Sequence, residues 1–140
     1  MFVCTGLRFG WFVRLETIEH NFLQCPIVIG FMTDVVKMCK KYTLLTKDVN
    51  VRIHDAVLLK TRMLNDCNSP TADVVFLMMW KYLQKARTAN EMPNMAHFQR
   101  LICKCIEYEE RIFRKRNEVQ KCTVKWGLLA SLTLDVLNVP

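Results

Sequence analysis

The chain has 140 residues, of which 51% are hydrophobic and 24% charged. That is long enough for one domain with a core of its own, and it excludes both a disordered and a membrane-embedded composition. The formal net charge of +7 and the pI near 9.2 favour acidic partners, either an acidic protein surface or, less specifically, nucleic acid.

Residues 1–14 show neither a helical nor a strand period and read as an irregular leader whose Phe9, Trp11 and Phe12 can pack on the body. The start is apolar, but no basic region precedes it and Arg8 and Arg14 cut it short, so a signal peptide is rejected. Every apolar run falls short of the ~18–20 residues that span a bilayer. Glu16 to Leu23 is a short amphipathic candidate, which completes a leader unit over 1–25.

Pro26 opens the first strong helix. Val28, Phe31, Met32, Val35, Cys39 and Tyr42 follow the three- and four-residue steps of one face. Lys37, Lys40 and Lys41 fill the other face and suit the negative end of the helix dipole. Thr46 is placed to cap a second helix, with Asp48 in its first turn and Val49, Ile53, Ala56, Leu59 and Met63 as its inner stripe. Residues 65–70 form a turn.

Val74-Val75-Phe76-Leu77-Met78-Met79-Trp80 is an unbroken apolar run. Seven such residues cover every direction around a helix, which leaves no solvated face until the last turn. Helix is preferred over strand because of the Leu, Met and Ala content and because Ser69-Pro70 reads as an N-cap followed by Pro. Thr88 to Pro93 breaks the chain. A further helical region carries Met95, Phe98, Leu101, Ile102 and Cys105, runs on or reopens through Ile106, Ile112, Phe113 and Val119, and stops near Gly127. Residues 129–140 are a tail or the start of another helix.

The class is therefore all-α: a single five-helix bundle over about 26–128, wrapped around a central buried helix at about 71–87. Each large side chain buried on that helix contributes roughly 1.5–3 kcal/mol, and truncating Phe76 or Leu77 to Ala is expected to cost ~2–5 kcal/mol.

The seven cysteines are an odd number without a Cys-x-x-Cys pair, which favours free thiols in a reducing compartment. His20, His54 and His97 are scattered, so no metal is expected. With no phosphate-binding Gly loop, paired-histidine motif or nucleophile elbow among only four glycines, the chain reads as a non-enzyme without cofactor. Glu109-Glu110 reads as a surface pair.

The order of elements resembles a cyclin box, the five-helix unit whose third helix is central. Cys39 to Leu44 followed by Thr46-Lys47-Asp48-Val49 resembles the junction of that family's first two helices, and Ala56 to Leu64 resembles its second helix. Leu77-Met78-Met79-Trp80-Lys81-Tyr82 stands where the family has Leu-Ala-Ser-Lys-Tyr/Phe. Met92-Pro93 and Phe98 resemble the turn and aromatic of its fourth helix, and Val124 to Leu128 with Leu132 to Leu137 resembles the exit toward a second box. Glu16-Thr17-Ile18-Glu19 is similar to the branch of the family that serves meiotic crossover formation.

The resemblance implies a regulatory module that binds a cyclin-dependent-type protein kinase in cell-cycle or meiotic control, inside the cell, in nucleus, cytoplasm or both. It implies a partner-binding set of Lys81, Tyr82, Lys37, Lys40 and Glu118. Lys81 matches the family's Lys; for its acidic counterpart Glu118 is the nearest residue, although counting back from Trp126 reaches Asn117. Two alternatives stand beside it: a helical adaptor that touches no kinase, and a basic helical domain that binds nucleic acid. Direct nucleic-acid binding is not favoured. Arg111, Arg114, Lys115, Arg116, Lys121 and Lys125 alternate with Glu107, Glu109, Glu110 and Glu118 as on a solvated face, with no aromatic interleaved to stack on bases.

Overall fold

The computed structural model describes residues 25–47, 50–51 and 71–137. Every regular element among them is helical: α1 (Pro26–Lys41), α2 (Thr71–Thr88), α3 (Met95–Lys115), α4 (Val119–Trp126), a 3-10 turn (Gly127–Leu129) and α5 (Ala130–Leu137). The predicted leader, most of the predicted second helix and the Ser69-Pro70 cap lie outside the described residues. The all-α class is thus plain, and α2 spans the stretch read as 71–87 to within one residue.

Three of these helices end by the same device. The chain turns through a residue with positive φ, at Thr43 (61°), Asn90 (54°) and Asn117 (55°). At each, the next amide reaches back across the last turn: Leu44 N to Cys39 O at 2.8 Å, Glu91 N to Ala86 O at 2.8 Å, Glu118 N to Phe113 O at 2.8 Å. This is the Schellman closure, built here without glycine; Asn tolerates the left-handed region better than most residues, whereas the β-branched Thr43 is a strained choice. Gly127, expected as the stop after Trp126, takes no left-handed turn. It lies at φ −55° and ψ −39° and passes the chain through the 3-10 turn into α5.

At the N-terminal ends, Pro26 occupies the first turn of α1 without a side-chain cap from Cys25. Asn94 caps α3, its Oδ1 accepting from the His97 amide at 3.2 Å.

Phe31 of α1, Tyr82 of α2 and Phe98 of α3 meet as a trio, each pair of ring centroids 5.5 Å apart. Around them pack Val35, Val75, Phe76, Met79, Ile102, Leu129 and Leu132, all fully buried.

The position of α2 departs from the expectation of a rod enclosed on all sides. Its buried residues are Ala72, Val75, Phe76, Met79, Tyr82, Leu83 and Ala86, together with Thr71, a single face at helical spacing. Leu77, in the middle of the apolar run, is 41% exposed, and Lys81, Gln84, Lys85 and Thr88 are exposed beside it. Among the described elements the helix with the most neighbours is α3, which packs against α1, α2, α4 and α5. An apolar run permits burial in every direction, but the neighbours decide which directions are filled.

Candidate protein-interaction face on helix α2

The outer face of α2 follows from its inner one. Tyr82 is only 8% exposed, its ring held by Phe31 and Phe98 and edge-on to His97 at 5.6 Å. Its hydroxyl accepts from the Asn94 amide at 2.9 Å and donates to the Asn94 carbonyl at 3.3 Å, tying α2 to the cap of α3. With Tyr82 locked inward, helical geometry turns Lys81, Gln84, Lys85 and Thr88 outward. These side chains and Ala89 line a shallow groove of about 410 Å³.

Lys81 was expected to close a buried helix. It lies instead seven residues before the end of α2, on its solvated side, with Lys85 one turn further on. Lys85 was not singled out from the sequence, although its four-residue spacing from Lys81 places both ammonium groups on one face. Tyr82, grouped with Lys81 as a partner-binding residue, has its ring and hydroxyl engaged inside the molecule and serves to orient the helix.

The remaining predicted residues lie on other elements. Lys37 is exposed and Lys40 half-buried on α1. Glu118 does not sit within a helix: it is the N-cap residue of α4, makes no side-chain cap, and pairs with Lys121 at 3.1 Å. Asn117, the other reading of that position, is the left-handed turn residue between α3 and α4. Among the described residues no hydrogen bond or ion pair joins Lys81 to Glu118, Lys37 or Lys40.

Two polar clusters hold the frame around this face. Glu109 on α3, read from the sequence as half of a surface pair, faces α4 instead. Its Oε1 accepts from Lys125 Nζ at 2.9 Å and its Oε2 from Trp126 Nε1 at 2.6 Å, while Lys125 also lies over the Trp126 ring. The Thr71 hydroxyl donates to the Lys125 carbonyl, so the start of α2 is pinned to the same turn. Glu110 does behave as a surface residue, bonded to Arg114 at 2.6 Å. At the other end, the Tyr42 hydroxyl donates to Asp135 on α5, and Lys41 approaches the same carboxylate at 3.6 Å. Burial, reinforced by that carboxylate, pushes the Tyr42 phenol up to about 12.

A second groove, of about 430 Å³, lies where α2 meets α4 and is lined by Thr71, Val74, Gln120, Lys121, Val124 and Lys125. Both of its lysines are committed to carboxylates, Lys121 to Glu118 and Lys125 to Glu109. Burial raises the thiols of Cys103, Cys105 and Cys122, which lowers their thiolate fraction and suits them to packing rather than nucleophilic work. Among the described residues no cluster of His, Cys, Asp and Glu is arranged to hold a metal, and no helix is long and apolar enough to cross a membrane.

The outer face of α2 thus presents Lys81 and Lys85, one turn apart, on a helix whose other side is fixed in the core. No family model, curated protein or solved structure matches the chain.

Proposed function

We propose that this chain is a cyclin-like regulatory binding module that engages a cyclin-dependent-type protein kinase through the outer face of α2. One observation carries the reading: Lys81 stands exposed next to a buried Tyr82 whose ring packs on Phe31 and Phe98 and whose hydroxyl is bonded to Asn94. A cation held on a rigid helix loses little freedom when it meets a carboxylate on a partner. The five-helix box, the kinase as partner and a role in cell-cycle or meiotic control rest on the sequence resemblance, with residues 71–88 as its third helix. A module bound this way would hold the kinase's regulatory helix and activation segment in the active arrangement, and would itself perform no chemistry.

The test is reconstitution. Kinase activity should appear only on mixing the two proteins and fall at least tenfold with Lys81→Glu, about 1.4 kcal/mol, with the helical circular dichroism unchanged. A second reading, an adaptor for a partner that is not a kinase, is favoured by Glu118, whose carboxylate is already paired with Lys121. Co-purification of a stable partner with no kinase, and no activation on mixing, would establish that reading over the first.

A further inference from the structure

We infer that the outer face of α3 binds single-stranded nucleic acid, with Arg100, Lys104, Arg111 and Lys115 on the phosphates and Tyr108 stacked on a base. In chain order the charges of this region alternate in sign, but on the helix they separate. Glu109 turns inward to Lys125 and Trp126, and Glu110 is taken by Arg114. Along one arc of the helix stand Arg100, Lys104, Tyr108, Arg111 and Lys115, all exposed, at steps of three and four residues.

At ~100° per residue these five fall within about 80° of arc, and the row is about 22 Å long. Glu107, also exposed, lies about 20° beyond one edge of that arc, and the four cations outweigh it. Contrary to the expectation from the charge run, an aromatic does interleave with the cations: Tyr108 lies at the middle of the row and is 66% exposed, a large ring in water with cations on both sides along the helix. That arrangement fits a strand that offers charge and an open base face together. A duplex offers the charge but keeps its bases stacked inside. An acidic peptide offers the charge but no flat ring for Tyr108. This face lies on a different helix from Lys81, so it stands apart from the kinase reading.

The test is fluorescence anisotropy of the full chain with labelled single strands of about 16 nucleotides, in DNA and RNA, against a duplex and a polyglutamate peptide. Single strands should bind, and the affinity should fall with salt with a log–log slope near −3, as about four phosphate contacts require. Tyr108→Ala should weaken binding at least about fivefold and leave the slope unchanged. Lys104→Gln together with Arg111→Gln should reduce the magnitude of the slope by about 1.4, whereas Lys47→Gln should leave it alone. Failure of the single strands to bind overturns the inference. So does equal binding of duplex or polyglutamate, indifference to Tyr108→Ala, or an equal loss of slope with Lys47→Gln.

Discussion

Helices α2 and α3 reverse the roles that their compositions suggest. α2 carries the longest apolar run in the chain, yet it buries one face and leaves Leu77 41% exposed. α3 is the more polar helix, with Phe98, Ile102 and Cys103 as its buried residues, yet it touches α1, α2, α4 and α5. The difference lies in what each helix uses for contact. α2 makes its contacts with apolar side chains and two neutral hydroxyls, those of Thr71 and Tyr82, whereas α3 adds a carboxylate, Glu109, that can hold two donors from α4 at once. Hydrophobicity measures how much surface a helix can bury; the number of neighbours depends on how many separate faces find partners.

The sharpest way to break this comparison is at its two apolar extremes. Phe98 has no exposed surface, and Phe98→Ala should cost ~3–5 kcal/mol in chemical denaturation. The next effect belongs to the polar contact. Glu109→Ala leaves the Lys125 ammonium and the Trp126 indole without their shared acceptor, and should cost ~1.5–3 kcal/mol together with a shift in tryptophan fluorescence. If the loss is no more than an exposed ion pair gives, α3 does not owe its hold on α4 to that carboxylate.

A smaller effect tests the clasp between α1 and α5 through pH. The protonated Tyr42 phenol is favoured in the fold, so its contribution is complete below the ordinary phenol value near 10 and is lost as pH rises toward 12. Urea melts of the native chain should therefore lose more stability over that window than those of Tyr42→Phe. An equal loss in both would mean that the hydroxyl does not hold Asp135 in solution. The smallest change is expected at Leu77. Leu77→Ala should cost about 1 kcal/mol or less, because so much of that side chain is already in water. A cost near that of Phe98→Ala would restore α2 as the enclosed helix.

Much of the candidate site could be read in advance, and the rest could not for definable reasons. The α1 stripe of Val28, Phe31, Met32, Val35 and Cys39 is buried as its spacing requires, because a mixed apolar and polar helix leaves one arrangement open. The run from Val74 to Trp80 has no such period, so its inner and outer sides were not legible. Lys81 was identified as a protruding cation, but its partner on the same face, Lys85, follows only once Tyr82 is known to point inward. The apolar pattern leaves open whether the helix runs on or reopens between Ile112 and Val119; the Schellman turn between α3 and α4 decides it and places Asn117 and Glu118 in the connection. Glu109 and Glu110 are adjacent and chemically identical; only the position of α4 separates a structural carboxylate from a solvated one.

Local chemistry in the chain was sufficient to establish an all-helical domain, the bounds of α2 to within one residue, the break at 88–93 and the basic character of the surface. Periodicity and turn residues act over a few positions, and these features depend on nothing further away. The place of α3 as the most-connected of the described helices, the exposure of Leu77, the inward turn of Glu109 and the outward row from Arg100 to Lys115 were decided by packing. Each depends on which residues from distant parts of the chain occupy the neighbouring space, and a one-dimensional pattern of apolar and charged residues does not carry that information.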